Sequence, residues 1–246
     1  KLITRRTKAI APVHFAGQPC ALDEIHKIAL KYKLLVIEDA CHALGASYKN
    51  KKVGGLSDMS IFSFHPVKSI TTGEGGAVLT SNKKYYDKLI SLRSHGIHKD
   101  KNGKNVMTEL GFNYRITDIQ AALGLRQLKR LNSFIKKRRQ IIGWYQQELK
   151  DVKQIILPQE VKGSFSAWHI YVMRTVNPKE RDRLAEYLKN NGVGVNFHYP
   201  AVYSQPYYRQ HGFKKFKLRE EEKFHNSCLT LPCYVGLERA QVKQIA

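Results

Sequence analysis

One irregular segment between two apolar runs constrains the fold more than any other part of this sequence. It extends from Ser63 to Gly76 and reads SFHPVKSITTGEGG. The runs on either side, Met59 to Phe62 and Ala77 to Leu79, are apolar and favour buried strands. The proline fixes one φ angle and the three glycines permit tight turns. The pattern predicts a rigid loop that holds Lys68 at the end of a buried sheet.

A lysine held there is a candidate amine nucleophile, because partial desolvation favours the neutral amine. The alternative is that Lys68 points to solvent, as most lysines of this chain must. A second segment, LLVIEDACHALG, favours a nucleophile, since it predicts a buried strand from Leu34 to Ile37 followed by Asp39 at its carboxyl end. A strand-end aspartate alone is more often a helix cap. Together, Lys68 and Asp39 are what a pyridoxal phosphate (PLP) site needs: a covalent amine and a carboxylate that keeps the pyridine nitrogen protonated.

These two segments resemble the DegT/DnrJ/EryC1/StrS family of sugar aminotransferases. Three further blocks are similar to family motifs: RSHGI, GFNYRITDIQAALGLRQL, and a tail that contains HYPAVYSQPYY and LTLPCYVGL. The blocks occur in the family's order and cover essentially the whole chain. Within the family, they resemble most the transaminases of pseudaminic acid synthesis.

The resemblance implies an α/β fold of the PLP-dependent transferase fold type I, which is aspartate aminotransferase-like. Residues 1–150 would be the C-terminal part of the large PLP-binding domain, and residues 151–246 a small α+β C-terminal domain. The resemblance also implies that an N-terminal portion of the large domain is absent from this sequence. That portion would carry a glycine-threonine phosphate loop and the aromatic residue that covers the cofactor ring.

The resemblance also assigns roles to individual residues. Lys68 and Asp39 would be catalytic and would hold the cofactor together with His42, Ser63 and Asn113. His42 matches a position near the cofactor ring, although a histidine hydrogen-bonded within a turn is an equal alternative. Ser63 matches the serine that binds the cofactor phosphate. Asn113 matches the asparagine that reaches the cofactor phosphate of the other subunit.

Three further residues are expected to contact the substrate. Arg115 presents a planar fork that suits a diphosphate, or alternatively forms a salt bridge to Asp118. His198 and Tyr199 follow a predicted strand, at a place where the family has substrate contacts. No metal is predicted, and the roles of His14, His65 and the loop 98–107 stay open.

The implied reaction is transfer of an amino group from L-glutamate to a UDP-linked 4-keto-6-deoxy-N-acetylhexosamine by a homodimer with shared active sites. Three alternatives remain. The sugar could be of the perosamine, bacillosamine or 4-amino-arabinose type. Family members with histidine in place of the lysine carry out a dehydration, and Lys68 argues against that chemistry. The chain could also be an inactive fragment or a basic binding protein that keeps the fold.

The composition indicates which binding partners and which cellular compartment to expect. The net charge of +22 raises nucleic acid as a partner, but the basic residues are spread along the chain and none is expected. The densest basic run, residues 136–139, is interpreted as a solvated helix face. The sequence shows no run of membrane-spanning length and no signal peptide, so no membrane partner is expected. The four scattered cysteines fit reduced thiols in the cytoplasm.

The remaining periodicities predict secondary structure. Helices are predicted at 22–32, 85–92, 116–128, 132–149 and 178–190, and strands at 9–14, 168–176 and 193–197. The strand 9–14, the helix 22–32 and the strand that precedes Asp39 are predicted to form a βαβ unit of a parallel sheet. The polar stretch 98–107 is predicted to be a mobile loop near the substrate.

Overall fold

A computed structural model describes residues 2–213 and 217–246 of the chain. Its helices are α1 Leu22–Tyr32, α2 Lys83–Arg93, α3 Asp118–Leu149, α4 Glu180–Asn190, α5 Pro206–Tyr208, α6 Arg219–Ser227 and α7 Arg239–Ile245. Its strands are β1 Ala9–Ile10, β2 Leu35–Asp39, β3 Ser47–Tyr48, β4 Lys51–Lys52, β5 Met59–Ser63, β6 Gly76–Leu79, β7 Ile97–Lys99, β8 Asn105–Met107, β9 Ile155–Ile156, β10 Ser164–Phe165, β11 Tyr171–Thr175 and β12 Cys228–Leu231. None of the helices in these two ranges is long and apolar enough to cross a membrane.

The chain divides into two compact units. Unit 1 comprises residues 1–133 and 161–167, and unit 2 comprises residues 134–160 and 168–246. The division falls inside α3, whereas the sequence suggested a domain boundary near residue 150. The assignment of 1–150 and 151–246 to two domains of the fold stays a prediction.

The main sheet of unit 1 has the strand order β1-β2-β5-β6. β1, β2 and β5 are parallel, and α1 connects β1 to β2, so the predicted βαβ unit is confirmed. β6 pairs antiparallel with β5, because the loop that contains Lys68 brings the chain straight back along the neighbouring edge. This arrangement places both ends of the lysine loop on adjacent strands.

Phe64 closes the base of the lysine loop. Its N–H donates to the carbonyl of Gly75 at 2.8 Å, and its own carbonyl accepts the N–H of Thr72 at 3.0 Å. The hydroxyl of Thr71 donates to the same carbonyl at 3.0 Å. Gly75 has a φ of +155°, which few residues with a side chain adopt. The loop is therefore a tied backbone structure, as the glycines and the proline predicted.

Helix α3 supports this loop through a contact between Gly124 and Thr72. Thr72 is buried, and its hydroxyl donates to the carbonyl of Glu74 at 2.6 Å. The side-chain amide of Gln120 donates to the same carbonyl at 3.0 Å. A Cβ atom added at Gly124 would lie 2.8 Å from Cγ2 of Thr72. The small residue at 124 is thus required for α3 to pack against the loop.

We expect Gly124→Ala to lower the free energy of unfolding by about 1–3 kcal/mol, the usual cost of overpacking. Thr72 cannot rotate away without breaking its hydrogen bond to Glu74. Gly143→Ala is the matched control, because Gly143 lies on the same helix and an added Cβ meets no atom within 4 Å. The control should gain about 0.5–1 kcal/mol from helix propensity. Chemical denaturation measures both variants, and equal effects would contradict the contact.

Unit 2 contains a three-stranded antiparallel sheet with the order β12-β11-β9. Its core joins the second half of α3 to this sheet and to α4 and α7 through buried apolar side chains, among them Ile141, Tyr145, Tyr171, Leu229 and Val242. The rings of Tyr145 and Tyr171 stack with centroids 4.7 Å apart. Unit 2 therefore has a hydrophobic core of its own.

The basic run 136–139 is not a uniformly solvated helix face. Arg138 is buried, and its Nη1 donates to the carbonyls of His169 at 2.7 Å and Cys233 at 2.8 Å. Arg139 forms an ion pair with Glu160 at 2.7 Å. The interpretation was wrong for these two residues, because the run follows the helix around to its core side.

Three secondary-structure predictions differ from the structure. The predicted helices 116–128 and 132–149 are one continuous helix, α3, because Lys129, Arg130 and Leu131 between them are good helix formers. The predicted loop 98–107 is a hairpin of β7 and β8, whose turn is closed by Asp100 accepting the N–H groups of residues 102 and 104. The predicted strand 193–197 is reduced to one bridge, between Asn196 and Thr230.

Candidate active site

The parallel strands of unit 1 present their carboxyl ends at one edge of the sheet. Asp39 at the end of β2 is in register with Ile61 in β5, and Val13 forms a parallel bridge to Asp39. The segments that follow these strands contain the Phe15–Gly17 turn, His42, and the Ser63–Lys68 run. Open α/β sheets bind ligands at this edge. Four of the predicted site residues, Asp39, His42, Ser63 and Lys68, therefore follow neighbouring strand ends.

Cys41 lies close to both Asp39 and Lys68. The Cys41 N–H donates to Oδ1 of Asp39 at 3.1 Å. Burial raises the pKa of the Cys41 thiol, the Asp39 carboxylate raises it further, to about 11, and the Lys68 ammonium opposes this rise. Both charged groups therefore lie near the Cys41 thiol.

Lys68 is half-buried, as its proposed role requires. Its backbone N–H donates to the carbonyl of His65 at 2.9 Å, which holds the turn 65–68 in place. Its amine forms no hydrogen bond or ion pair with any residue in the ranges 2–213 and 217–246. The alternative of a fully solvent-exposed lysine is not what the structure has.

Ser63 ends β5, opposite Gly76 of β6. Its hydroxyl oxygen accepts the N–H of His65 at 3.4 Å, which leaves the hydroxyl hydrogen available as a donor. Nε2 of His65 lies 3.8 Å from Oε1 of Glu74, and both side chains are exposed. Exposed pairs contribute little to stability, so this contact does not define a role for His65.

His42 is held by the turn Phe15–Gly17 at the end of the neighbouring strand. The N–H of Ala16 donates to Nδ1 of His42 at 3.3 Å. The rings of Phe15 and His42 lie 6.0 Å apart and tilted by 45°. The alternative of a histidine hydrogen-bonded within its surroundings is therefore part of the structure, and it is compatible with a position beside a cofactor.

Asn113 and Arg115 lie on an exposed segment between β8 and α3. Asn113 bridges to Ser94, and the ring of Phe112 stacks on that of Tyr114 at 4.8 Å. Arg115 forms no ion pair with Asp118, so that alternative is absent among the described contacts. Both side chains are accessible to a ligand or to a second subunit.

His198 and Tyr199 belong to unit 2. Nδ1 of His198 forms a 2.8 Å hydrogen bond with the hydroxyl of Thr230 in β12. The rings of His198 and Tyr199 meet edge to face at 4.6 Å, and about half of Tyr199 is exposed. Their role as substrate contacts stays a prediction.

Sequence reasoning missed two features of the site. Cys41 received no role, although it is two residues beyond Asp39. Glu38 also received none, yet it is fully buried beside His14. A charged residue inside an apolar strand was the available signal for Glu38, since a buried carboxylate requires a partner.

The residues at this edge fit PLP by their chemistry. An amine without a hydrogen-bond partner in the described part of the chain can bond to the aldehyde, a carboxylate can hold the pyridinium proton, and a serine hydroxyl can donate to the phosphate. The carboxylate ends β2 and the amine follows β5, and these two strands are paired in parallel. We therefore take Lys68, Asp39 and Ser63, with His42 beside them, as the candidate PLP site.

Comparison with known proteins supports the same family as the sequence motifs. The model of the DegT/DnrJ/EryC1/StrS aminotransferase family matches residues 1–246. A UDP-4-amino-4,6-dideoxy-N-acetyl-beta-L-altrosamine transaminase of Campylobacter jejuni is 40% identical over 238 residues, which cover 96% of this chain and 63% of the relative.

Two solved structures are similar throughout the chain. PseC of Helicobacter pylori, an aminotransferase involved in the biosynthesis of pseudoaminic acid, has a TM-score of 0.94 at 34% identity and covers 99% of this chain and 66% of its own. A candidate sugar aminotransferase of Streptococcus pneumoniae in its PLP form has a TM-score of 0.92 at 27% identity, with coverage of 99% and 67%. These similarities confirm the predicted α/β fold. The chain spans about 63% of the length of the curated relatives it matches.

Proposed function

The chain belongs to the DegT/DnrJ/EryC1/StrS aminotransferase family, and from that premise we propose that it transfers an amino group from L-glutamate to a UDP-linked 4-keto-6-deoxy-N-acetylhexosamine. The observation that carries this proposal is the half-buried amine of Lys68 on a tied loop that follows β5, the strand paired in parallel with the strand that Asp39 ends. The names of the relatives from Campylobacter and Helicobacter support the choice of sugar.

The proposed cofactor is PLP, which when bound supplies an aldehyde that bonds to amino groups and a ring that accepts an electron pair from a substrate carbon. Lys68 would hold the cofactor covalently, and its freed Nζ would carry the proton from the α-carbon of glutamate. Asp39 would hold the proton on the pyridine nitrogen. Ser63 would donate to the phosphate, and His42 would lie beside the ring.

The proposed substrate contacts are Arg115, His198 and Tyr199. The guanidinium of Arg115 is exposed and can bind two oxygens of a diphosphate at once. Tyr199 is exposed beside His198, and a hydroxyl and an imidazole suit the hydroxyl and acetamido groups of a sugar. The high positive charge of the chain would favour capture of an anionic nucleotide-sugar.

A homodimer is part of the proposal, with Asn113 reaching the cofactor phosphate of the other subunit. The segment around Asn113 exposes large apolar side chains: Leu110, Phe112, Tyr114, Ile116 and Ile119. Contiguous exposed apolar surface indicates an interaction site. We propose that a second copy of the chain covers this surface.

We expect Ile119→Asp to weaken dimerisation by about 30-fold or more, because a buried carboxylate at an interface centre costs at least about 2 kcal/mol. Ile119 is 84% exposed in the single chain. Leu30→Asp on α1 is the control, since Leu30 is 83% exposed and lies away from that segment in sequence. Light scattering across a dilution series measures both. An unchanged dimer in Ile119→Asp would remove this surface from the interface.

We propose the cytoplasm as the location. The four cysteines are free thiols, and three of them are partly exposed. Free thiols suit a reducing compartment.

The test of the proposed function is transfer of isotope. The natural full-length protein is incubated with PLP, ¹⁵N-labelled L-glutamate and a panel of nucleotide-linked 4-keto-6-deoxy sugars. Mass spectrometry should find ¹⁵N in the product of the UDP-N-acetylhexosamine member. Label in a perosamine, bacillosamine or arabinose product would reassign the sugar. No label in any product would favour the inactive or binding alternative.

A further inference from the structure

A buried polar network lies behind the strand ends that carry the candidate site. Nε2 of His14 is 2.7 Å from Oε2 of Glu38, and both side chains are fully buried. The hydroxyl of Ser60 donates to Oε1 of Glu38 at 3.2 Å. The N–H of Cys20 donates to Nδ1 of His14 at 3.1 Å. The network thus ties the segment that follows β1 to β2 and β5.

The charge on this network is held by its hydrogen bonds. Burial raises the pKa of the Glu38 carboxyl, yet hydrogen bonds from His14 and the neighbouring serines outweigh burial and hold that pKa below its usual range. An ionised carboxylate in this position requires its partners, since a buried charge without them is strongly destabilising. The position of His14 is therefore fixed by Glu38.

His14 in turn fixes the backbone on the site side. The backbone N–H of His14 donates to the backbone carbonyl of Asp39 at 2.9 Å. The backbone N–H of Asp39 donates to the carbonyl of Pro12, also at 2.9 Å. The chain then turns at once, with the N–H of Gly17 donating to the carbonyl of His14 at 3.2 Å. Ala16 takes a left-handed conformation, with φ of +57°. The direction of the Ala16 N–H therefore depends on where His14 is held.

That N–H points at His42. It donates to Nδ1 of His42 at 3.3 Å. A ring nitrogen that accepts a hydrogen bond carries no hydrogen, so the neutral ring has its hydrogen on Nε2.

Resting on the function proposed above, we propose that His14 and Glu38 are positioning residues that hold the Phe15–Gly17 turn, so that the Ala16 amide selects the Nε2-protonated form of His42. Neither residue of the pair touches the cofactor. They act through the turn, and the turn acts through one hydrogen bond.

The primary test is ¹⁵N NMR of the imidazole nitrogens in the natural full-length protein without cofactor, at a pH at which His42 is neutral. The ring of His42 should show an unprotonated Nδ1 and a protonated Nε2. His14→Gln should keep this pattern, because its side-chain oxygen and nitrogen can accept from Cys20 and donate to Glu38 as the ring nitrogens do.

The matched variant is His14→Leu/Glu38→Leu, which removes the pair without leaving a buried charge. It should fold, as judged by circular dichroism, and its His42 should become a mixture of the two neutral forms. Its affinity for PLP should fall by about tenfold, the equivalent of one lost hydrogen bond. An unchanged His42 pattern in the folded double variant would overturn the proposal.

A second measurement keeps the proposal testable if the double variant does not fold. In His42→Leu the Ala16 N–H loses its acceptor, and its hydrogen exchange should accelerate by about tenfold or more. An unchanged exchange rate, or hydrogen on Nδ1 of His42 in the unaltered protein, would overturn the proposal. All of these readouts except the affinity use the cofactor-free protein. They can therefore fail while isotope transfer succeeds, and succeed while isotope transfer fails.

Discussion

Replacing Lys68 by arginine is expected to lower the rate of amino transfer by about 10³-fold or more. Arginine keeps the positive charge but has no amine that can be deprotonated to attack a carbonyl. A positioned acid–base group alone contributes about 10²–10⁴-fold, and Lys68 would also be the covalent anchor. The measurement is single-turnover formation of 2-oxoglutarate from glutamate by the natural full-length protein loaded with PLP.

The control for this variant is Lys51→Arg. Lys51 is an exposed lysine in β4 of the same unit, and its replacement should leave the rate unchanged. Lys68→Arg should also unfold at nearly the same denaturant concentration as the unaltered protein, because the Lys68 amine forms no hydrogen bond or ion pair with a described residue. A rate within tenfold of the original for Lys68→Arg would remove the lysine from the chemistry.

Asp39→Asn is expected to cost about 10²-fold in the same assay. A carboxylate within about 4–6 Å shifts the pKa of a neighbouring cation by about 1–3 units, so its loss would deprotonate the pyridine nitrogen at neutral pH. Asparagine keeps an oxygen that can accept the Cys41 N–H, so the local structure should survive. The loss should appear in kcat more than in the affinity for glutamate, because the charge matters when electrons enter the ring.

Asp58→Asn is a close control for Asp39→Asn. Asp58 precedes β5, and its Oδ2 accepts the backbone N–H of Val36 at 2.8 Å, so it too is an aspartate that binds a backbone amide at a strand end. It lies at the amino end of β5, whereas Asp39 lies at the carboxyl end of β2. Asp58→Asn should change stability as much as Asp39→Asn while keeping the rate. Equal losses of rate would show that the effect of Asp39→Asn is structural.

Local patterns in the sequence predicted the elements that hold the site. The loop from Ser63 to Gly76 was predicted from apolar runs, a proline and glycines, and it lies between β5 and β6. The periodicity from Leu22 to Tyr32 predicted α1 with its bounds. These features depend on interactions among near neighbours, which is why one sequence suffices to find them.

Local sequence patterns did not predict contacts between residues that are distant in the sequence. The pairing of His14 with Glu38 joins residues 24 positions apart, and the contact of Thr72 with Gly124 joins a loop to a later helix. Arg138 was predicted to be solvated because it lies in a basic run, but its guanidinium binds carbonyl groups 31 and 95 residues away. Such contacts are determined by the three-dimensional path of the backbone, which local sequence patterns do not specify.

The roles of the site residues remain predictions, whereas the family and the fold are established by comparison. Asn113 and Arg115 are exposed and accessible, and their proposed partners are a second subunit and a nucleotide-sugar.

The measurement that tests the central claim most directly is the site of covalent attachment of PLP. The natural full-length protein is incubated with PLP, reduced with borohydride, digested and mapped by mass spectrometry. We expect one dominant adduct, on the peptide that contains Lys68, and its disappearance when L-glutamate is added before reduction. Adducts spread over surface lysines, or a Lys68 adduct that glutamate does not diminish, would contradict the assignment of Lys68 as the catalytic amine.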